Sequence, residues 1–116
     1  MSNPPSQLFD HFLISYLTGP TFLGPGLNRQ PAAYINCYNG TQKVGEINFY
    51  LEERGLPLPP NVQATNGEIV ANFDLTRFGD VLNLLRHHEP LRLMLAPSGL
   101  AMIMTTATEE VGAVAA

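Results

Sequence analysis

Charge is scarce in this chain: Asp, Glu, Lys and Arg supply 14% of 116 residues, against an average near ~25% in soluble domains. The six Lys and Arg residues are scattered singly and the net charge is −4. No phosphate-tracking stripe exists, which disfavours nucleic acid as a partner. Cysteine is nearly absent. Cys37 stands alone, so an internal disulfide is excluded and a reducing compartment is favoured. No apolar run reaches the ~18 residues of a membrane-spanning helix. Met1-Ser2-Asn3-Pro4-Pro5 has no basic stretch followed by an apolar run, so no signal peptide is read there and a cytoplasmic setting, away from membranes, is expected.

Catalytic and metal signatures are missing too. The sequence has no H-E-x-x-H, C-x-x-C or G-x-S-x-G. Gly24-Pro25-Gly26 lacks the Lys and the strand-to-helix context of a phosphate loop. Asn39-Gly40-Thr41 matches a glycosylation triplet but coincides with a turn, and is read as chance.

Apolar residues are abundant, at 45%. That argues for one real core rather than disorder. With so little charge to cover the outside, part of the surface is expected to be hidden by a partner or a second copy. The chain reads as one α+β domain over 1–116, with 1–5 and 111–116 as frayed tails. The expected architecture is a bent, mostly antiparallel sheet of about five or six strands, packed by one main helix.

Near the N-terminus, Leu8, Phe9, Phe12, Leu13, Tyr16 and Leu17 recur at helical spacing. Ser6 offers a cap and Gly19-Pro20 a stop, so a helix is expected over 7–18; the rival is a strand, from the alternation Phe12, Ile14, Tyr16. Gly19–Pro31 is a Gly/Pro-rich loop. Ala32–Glu52 reads as a hairpin turning at Asn39-Gly40 in type I′ geometry, with Tyr38 opposite Thr41 and Ile35 opposite Val44. Ile35, Cys37 and Val44 then share a face, but Ile47, Phe49 and Leu51 fall out of parity with them. A β-bulge at Gly45-Glu46, with Gly45 left-handed, repairs the slip. Gly55–Pro60 is an extended link, and Asn66-Gly67 joins a short strand at 62–65 to Glu68–Phe73.

The helix is clearest over 76–88, where Phe78, Val81, Leu82 and Leu85 form an apolar face. Asp74 or Thr76 caps it, and Glu89-Pro90 ends it. A final hairpin turns at Ala96-Pro97-Ser98-Gly99 as a type I turn. Its expected apolar face is Leu91, Leu93 and Leu95 with Leu100, Met102 and Met104; Met94 and Ile103 lie on the other. This ending of hairpin, helix and hairpin suits many small bacterial-type domains and carries no diagnostic motif.

Four groups of residues invite a chemical role. His87-His88-Glu89 is the only metal-like cluster, yet neighbours on a helix point about 100° apart, so a helix C-terminus complementing the dipole is the better reading and no metal is assigned. Cys37 lies mid-strand on the core face, which suits filler rather than a nucleophile. Tyr34, Asn36, Tyr38 and Lys43 share the opposite face of the first hairpin; an ordinary solvent-exposed sheet face with cross-strand pairs is the better reading, and a binding surface or subunit contact is its competitor. Met94 and Ile103, on the second apolar face of the last hairpin, are the candidate interface. No catalytic residue and no cofactor is assigned. The expected function is a non-enzymatic binding or assembly module that pairs with itself as a homo-oligomer. The alternative is a small-molecule binder or enzyme with its pocket between the sheet and loop 19–31, where Tyr34, Tyr38, Glu46 and His11 supply polar contacts.

Overall fold

The computed structural model describes residues 5–17, 30–52, 57–87 and 90–106. Loop 19–29, His88, Glu89 and the expected frayed tails lie outside these, apart from Pro5. The fold is α+β, with two sheets rather than one. The N-terminal segment forms strands β1 (Ser6–Phe9) and β2 (His11–Tyr16), not a helix. Its alternation explains why. Phe12 and Ile14 pack against the core, while His11 is exposed and Leu13 stands 57% exposed. The helical stripe combined residues that end on opposite sides of a strand, and long-range pairing overrode local spacing.

The larger sheet has the order β2-β3-β4-β6-β5. Here β3 is Ala33–Asn39, β4 Gln42–Tyr50, β5 Val62–Gln63 and β6 Ile69–Asp74. Within it β4 and β6 run parallel. The connector after β4 passes beyond β6 and returns as β5, antiparallel on the far side. Pro59 and Pro60 have no N–H for a ladder. Side chains substitute: Asn72 donates from Nδ2 to the Pro60 carbonyl at 2.9 Å and to Pro59 at 3.2 Å. The Asn72 backbone N–H donates to Asn61 Oδ1 at 2.6 Å, and Asn48 Nδ2 donates to Asn72 Oδ1 at 3.1 Å. This buried amide network continues the sheet where the backbone cannot.

The expected bulge is present but displaced by one residue. Asn39 pairs with Gln42, Tyr38 with Lys43, and Cys37 with Gly45, which leaves Val44 as the extra residue. The turn is therefore Gly40-Thr41, not Asn39-Gly40. Of these two residues only Gly40 has positive φ, at 63°, as a type II′ turn requires of its first central residue. Gly45 is not left-handed; its reason for being glycine is space. A Cβ there would lie 2.6 Å from the Ile69 carbonyl oxygen and 2.8 Å from Leu93 Cδ2.

A 3-10 turn, Leu75–Arg77, leads into helix α1 (Phe78–His87). Asp74 caps it, its Oδ1 accepting from the Thr76 N–H at 2.9 Å. The core-facing residues of α1 are Phe78, Val81, Leu84 and Leu85; Leu82 is half-buried outside the core cluster. The smaller sheet has the order β1-β7-β8, with β7 at Leu91–Leu95 and β8 at Ala101–Thr105. The core holds residues of both sheets and the helix, with Ile35, Ile47, Phe49, Ile69 and Leu93 fully enclosed. Gln7 Nε2 on β1 donates to the Gly67 carbonyl at 2.9 Å, tying the two sheets together at the β5–β6 turn.

Candidate functional site: the cleft beside β8

The last hairpin departs most from expectation. Gly99 N–H donates to the Ala96 carbonyl at 2.9 Å, and Ala96 N–H to Leu100 at 2.8 Å. Gly99 has φ 92°. The loop is therefore three residues, a type I turn followed by a glycine bulge, and the extra residue flips β8. Leu93 pairs with Ile103 and Met94 with Met102. Ala101 and Ile103 pack against the core, and Met102 and Met104 share the other face with Met94 and Arg92. Met94 and Ile103 thus lie on opposite faces, and the expected grouping of leucines with methionines is overturned. A one-residue slip inverts every side chain.

The methionines are left 38% and 39% exposed, next to Leu100 at 67%. They line a cleft of about 660 Å³. Its other walls are Phe73 and Asp74 at the end of β6, Val81 and Leu84 of α1, and Leu58 of the connector. Asn61 Nδ2 donates to the Gly99 carbonyl at 2.9 Å, fixing the connector to the β7–β8 turn at one end. Asn61, Asn72, Asp74, Arg77 and Asp80 supply the polar lining. The rest of the lining is aliphatic and thioether side chains with one aromatic ring, a surface that suits apolar chain or ligand.

One side of β8 is unpaired among the described residues, where the strand pairs with β7 alone. Narrow and wide pairs alternate in an antiparallel ladder. With Ala96 bonded to Leu100, Met102 and Met104 direct their backbone groups to β7. Ala101, Ile103 and Thr105 direct theirs outward, toward the open edge.

The expected polar binding residues do share a surface. His11 pairs with Tyr38 and Tyr38 with Lys43; Asn36 pairs with Glu46; Tyr34 lies one row further along. Lys43 Nζ reaches Glu46 Oε1 at 3.4 Å. Tyr34, Tyr38 and Glu46 are not among the residues that line the cleft beside β8, and loop 19–29, the other wall expected for their pocket, lies outside the described residues. His11 lines a second hollow, of about 530 Å³, with Leu8, Phe9, Asp10, Asn39 and Pro90. Its Nδ1 lies 2.8 Å from Asp10 Oδ1, which also accepts from the Gly40 N–H at 2.9 Å. The Gly40 bond, then the histidine, holds the Asp10 carboxyl below its usual range, so this pair fastens the β3–β4 turn to the β1–β2 corner.

Cys37 is fully enclosed, and burial pushes its thiol up to about 12. That leaves it protonated at neutral pH and unfit as a nucleophile. His87 is exposed in the last turn of α1. Among the described residues no three His, Cys, Asp or Glu side chains come together as a metal site, and no helix is long and apolar enough to cross a membrane.

Sequence reasoning missed the cleft because it depends on β8 parity and on where the connector lands. The available signal was Pro97-Ser98-Gly99, which suits a three-residue loop with a left-handed glycine as well as a four-residue turn. Comparison with protein families, curated proteins and solved structures gave no significant match.

Proposed function

We propose that the domain is a non-enzymatic binding and assembly module that works through the open edge of β8 and the cleft beside it. One observation carries this reading: Ala101–Thr105, a strand with one side unpaired among the described residues, sets exposed Met102 and Met104 beside an apolar cleft. Unpaired edges are normally blunted by charge, proline or bulges, and β8 contains none of these. Methionine suits such a surface because its unbranched side chain adapts to a partner. The low charge of the whole chain points the same way.

A second reading has its own support. The cleft volume of about 660 Å³ lies within the range of roughly 300–1,000 Å³ typical of small-molecule pockets. A small apolar ligand is then the occupant.

Native mass spectrometry of the untagged protein, with M102E/M104E alongside, tests the module. A multimer or a retained mass that the double variant loses is expected. A bare monomer, or an association indifferent to the variant, contradicts it.

A further inference from the structure

We infer that the partner of the β8 edge is the β8 edge of a second copy, paired antiparallel about a two-fold axis at Ile103. This rests on β8 being the recognition edge, and it names the occupant.

The register carries the inference. The outward-facing backbone groups belong to Ala101, Ile103 and Thr105. A two-fold axis at Ile103 sets Ile103 against Ile103 of the second copy, and Ala101 against Thr105. Every outward N–H and C=O then meets an outward partner, giving about six new backbone hydrogen bonds. A shift by one residue would set outward groups against groups already used by β7. The strand is thus complementary to itself in one register that uses its full length, as an isologous interface requires.

Side chains and charge agree. Met102 falls opposite Met104 of the second copy, twice, extending the outer methionine face that Met94 begins. β8 carries no charge, so two copies of an acidic protein meet at a neutral strand. Arg92, on the same face of the sheet, pairs with Met104 and hydrogen-bonds Ser6 Oγ at 3.0 Å, while Asp74, Arg77 and Asp80 line the cleft beside the methionines within each copy. In the paired register each Arg92 stays two strands from the axis and faces no like charge. The two three-stranded sheets become one of six that ends in β1 on either side, and the two open β8 edges are consumed.

The test is analytical ultracentrifugation of the full chain over a concentration series, with two variants at exposed positions. M102E/M104E sets like charges directly opposite each other across the axis, twice. M102K/M104E sets opposite charges there, and both variants keep the same glutamate beside Arg92. A wild-type dimer is expected, weakened at least about tenfold in M102E/M104E and restored to within about threefold in M102K/M104E. A dimer that M102E/M104E leaves intact, or that M102K/M104E does not restore, overturns the pairing. A monomer at all concentrations also overturns it; if that monomer retains a bound mass, the module reading stands and only the second copy fails.

Discussion

The β3–β4 and β7–β8 hairpins each contain one extra residue, and they use it to opposite ends. In β3–β4 the extra residue is Val44, inside the strand. It resets parity after the turn, so Cys37, Val44, Ile47 and Phe49 are all buried, and β2 and β6 flank both sides. In β7–β8 the extra residue is Gly99, in the turn itself. Nothing further along β8 resets the parity. Ala101 and Ile103 face the core, the methionines face out, and β7 is the strand's one neighbour among the described residues. A bulge within a strand can complete a core, whereas a bulge at a turn can hold apolar side chains outside it.

Substitutions can break that comparison, the most damaging first. Gly45 sits where the two sheets meet, and a side chain there strikes backbone oxygen. G45V is expected to lose about 3 kcal/mol of stability in chemical denaturation. N72A strands the carbonyls of Pro59 and Pro60 and the amide of Asn48; a loss of about 2 kcal/mol is expected. G99A should cost about 1 kcal/mol, because open space surrounds the position and only its left-handed φ resists a side chain. If G99A proved worse than G45V, the contrast between the hairpins would be wrong.

The smallest effect concerns Asp10, which fastens the first hairpin's turn. Its folded carboxyl titrates below the ordinary value of 3.8. Its contribution is therefore present above that value and lost as pH falls through the lowered one. The stability gap between wild type and D10N should be steady at neutral pH and close below about pH 4 in acid titrations. Cys37 offers a further check: native-state labelling by a thiol reagent should be far slower than labelling of the unfolded chain.

Much of the larger sheet was legible because its signals are local. The parity slip between Ile35, Cys37 and Val44 and the set Ile47, Phe49 and Leu51 demanded a bulge, expected at Gly45-Glu46 and found one residue earlier, at Val44. The helix, its Asp74 cap and the turn at Pro97-Ser98-Gly99 were readable from residue type and spacing. Features that depend on distant pairing were not. Leu8 to Leu17 suits a helical stripe until β3 and β7 compete for it. The parallel β4–β6 pair needs a crossover that prolines alone do not announce. In the cleft, Leu58, Leu84 and Met104 meet through three separate elements, and no spacing links them.

The most direct measurement is residue-resolved amide hydrogen exchange along β8 at low and high protein concentration. With the edge open in one chain and closed by a second copy, Met102 and Met104 stay protected throughout. Ala101, Ile103 and Thr105 exchange fast when dilute and slow as the copies pair. Fast exchange at Met102 and Met104 would contradict the strand register, and protection of Ala101, Ile103 and Thr105 that ignores dilution would contradict the open edge.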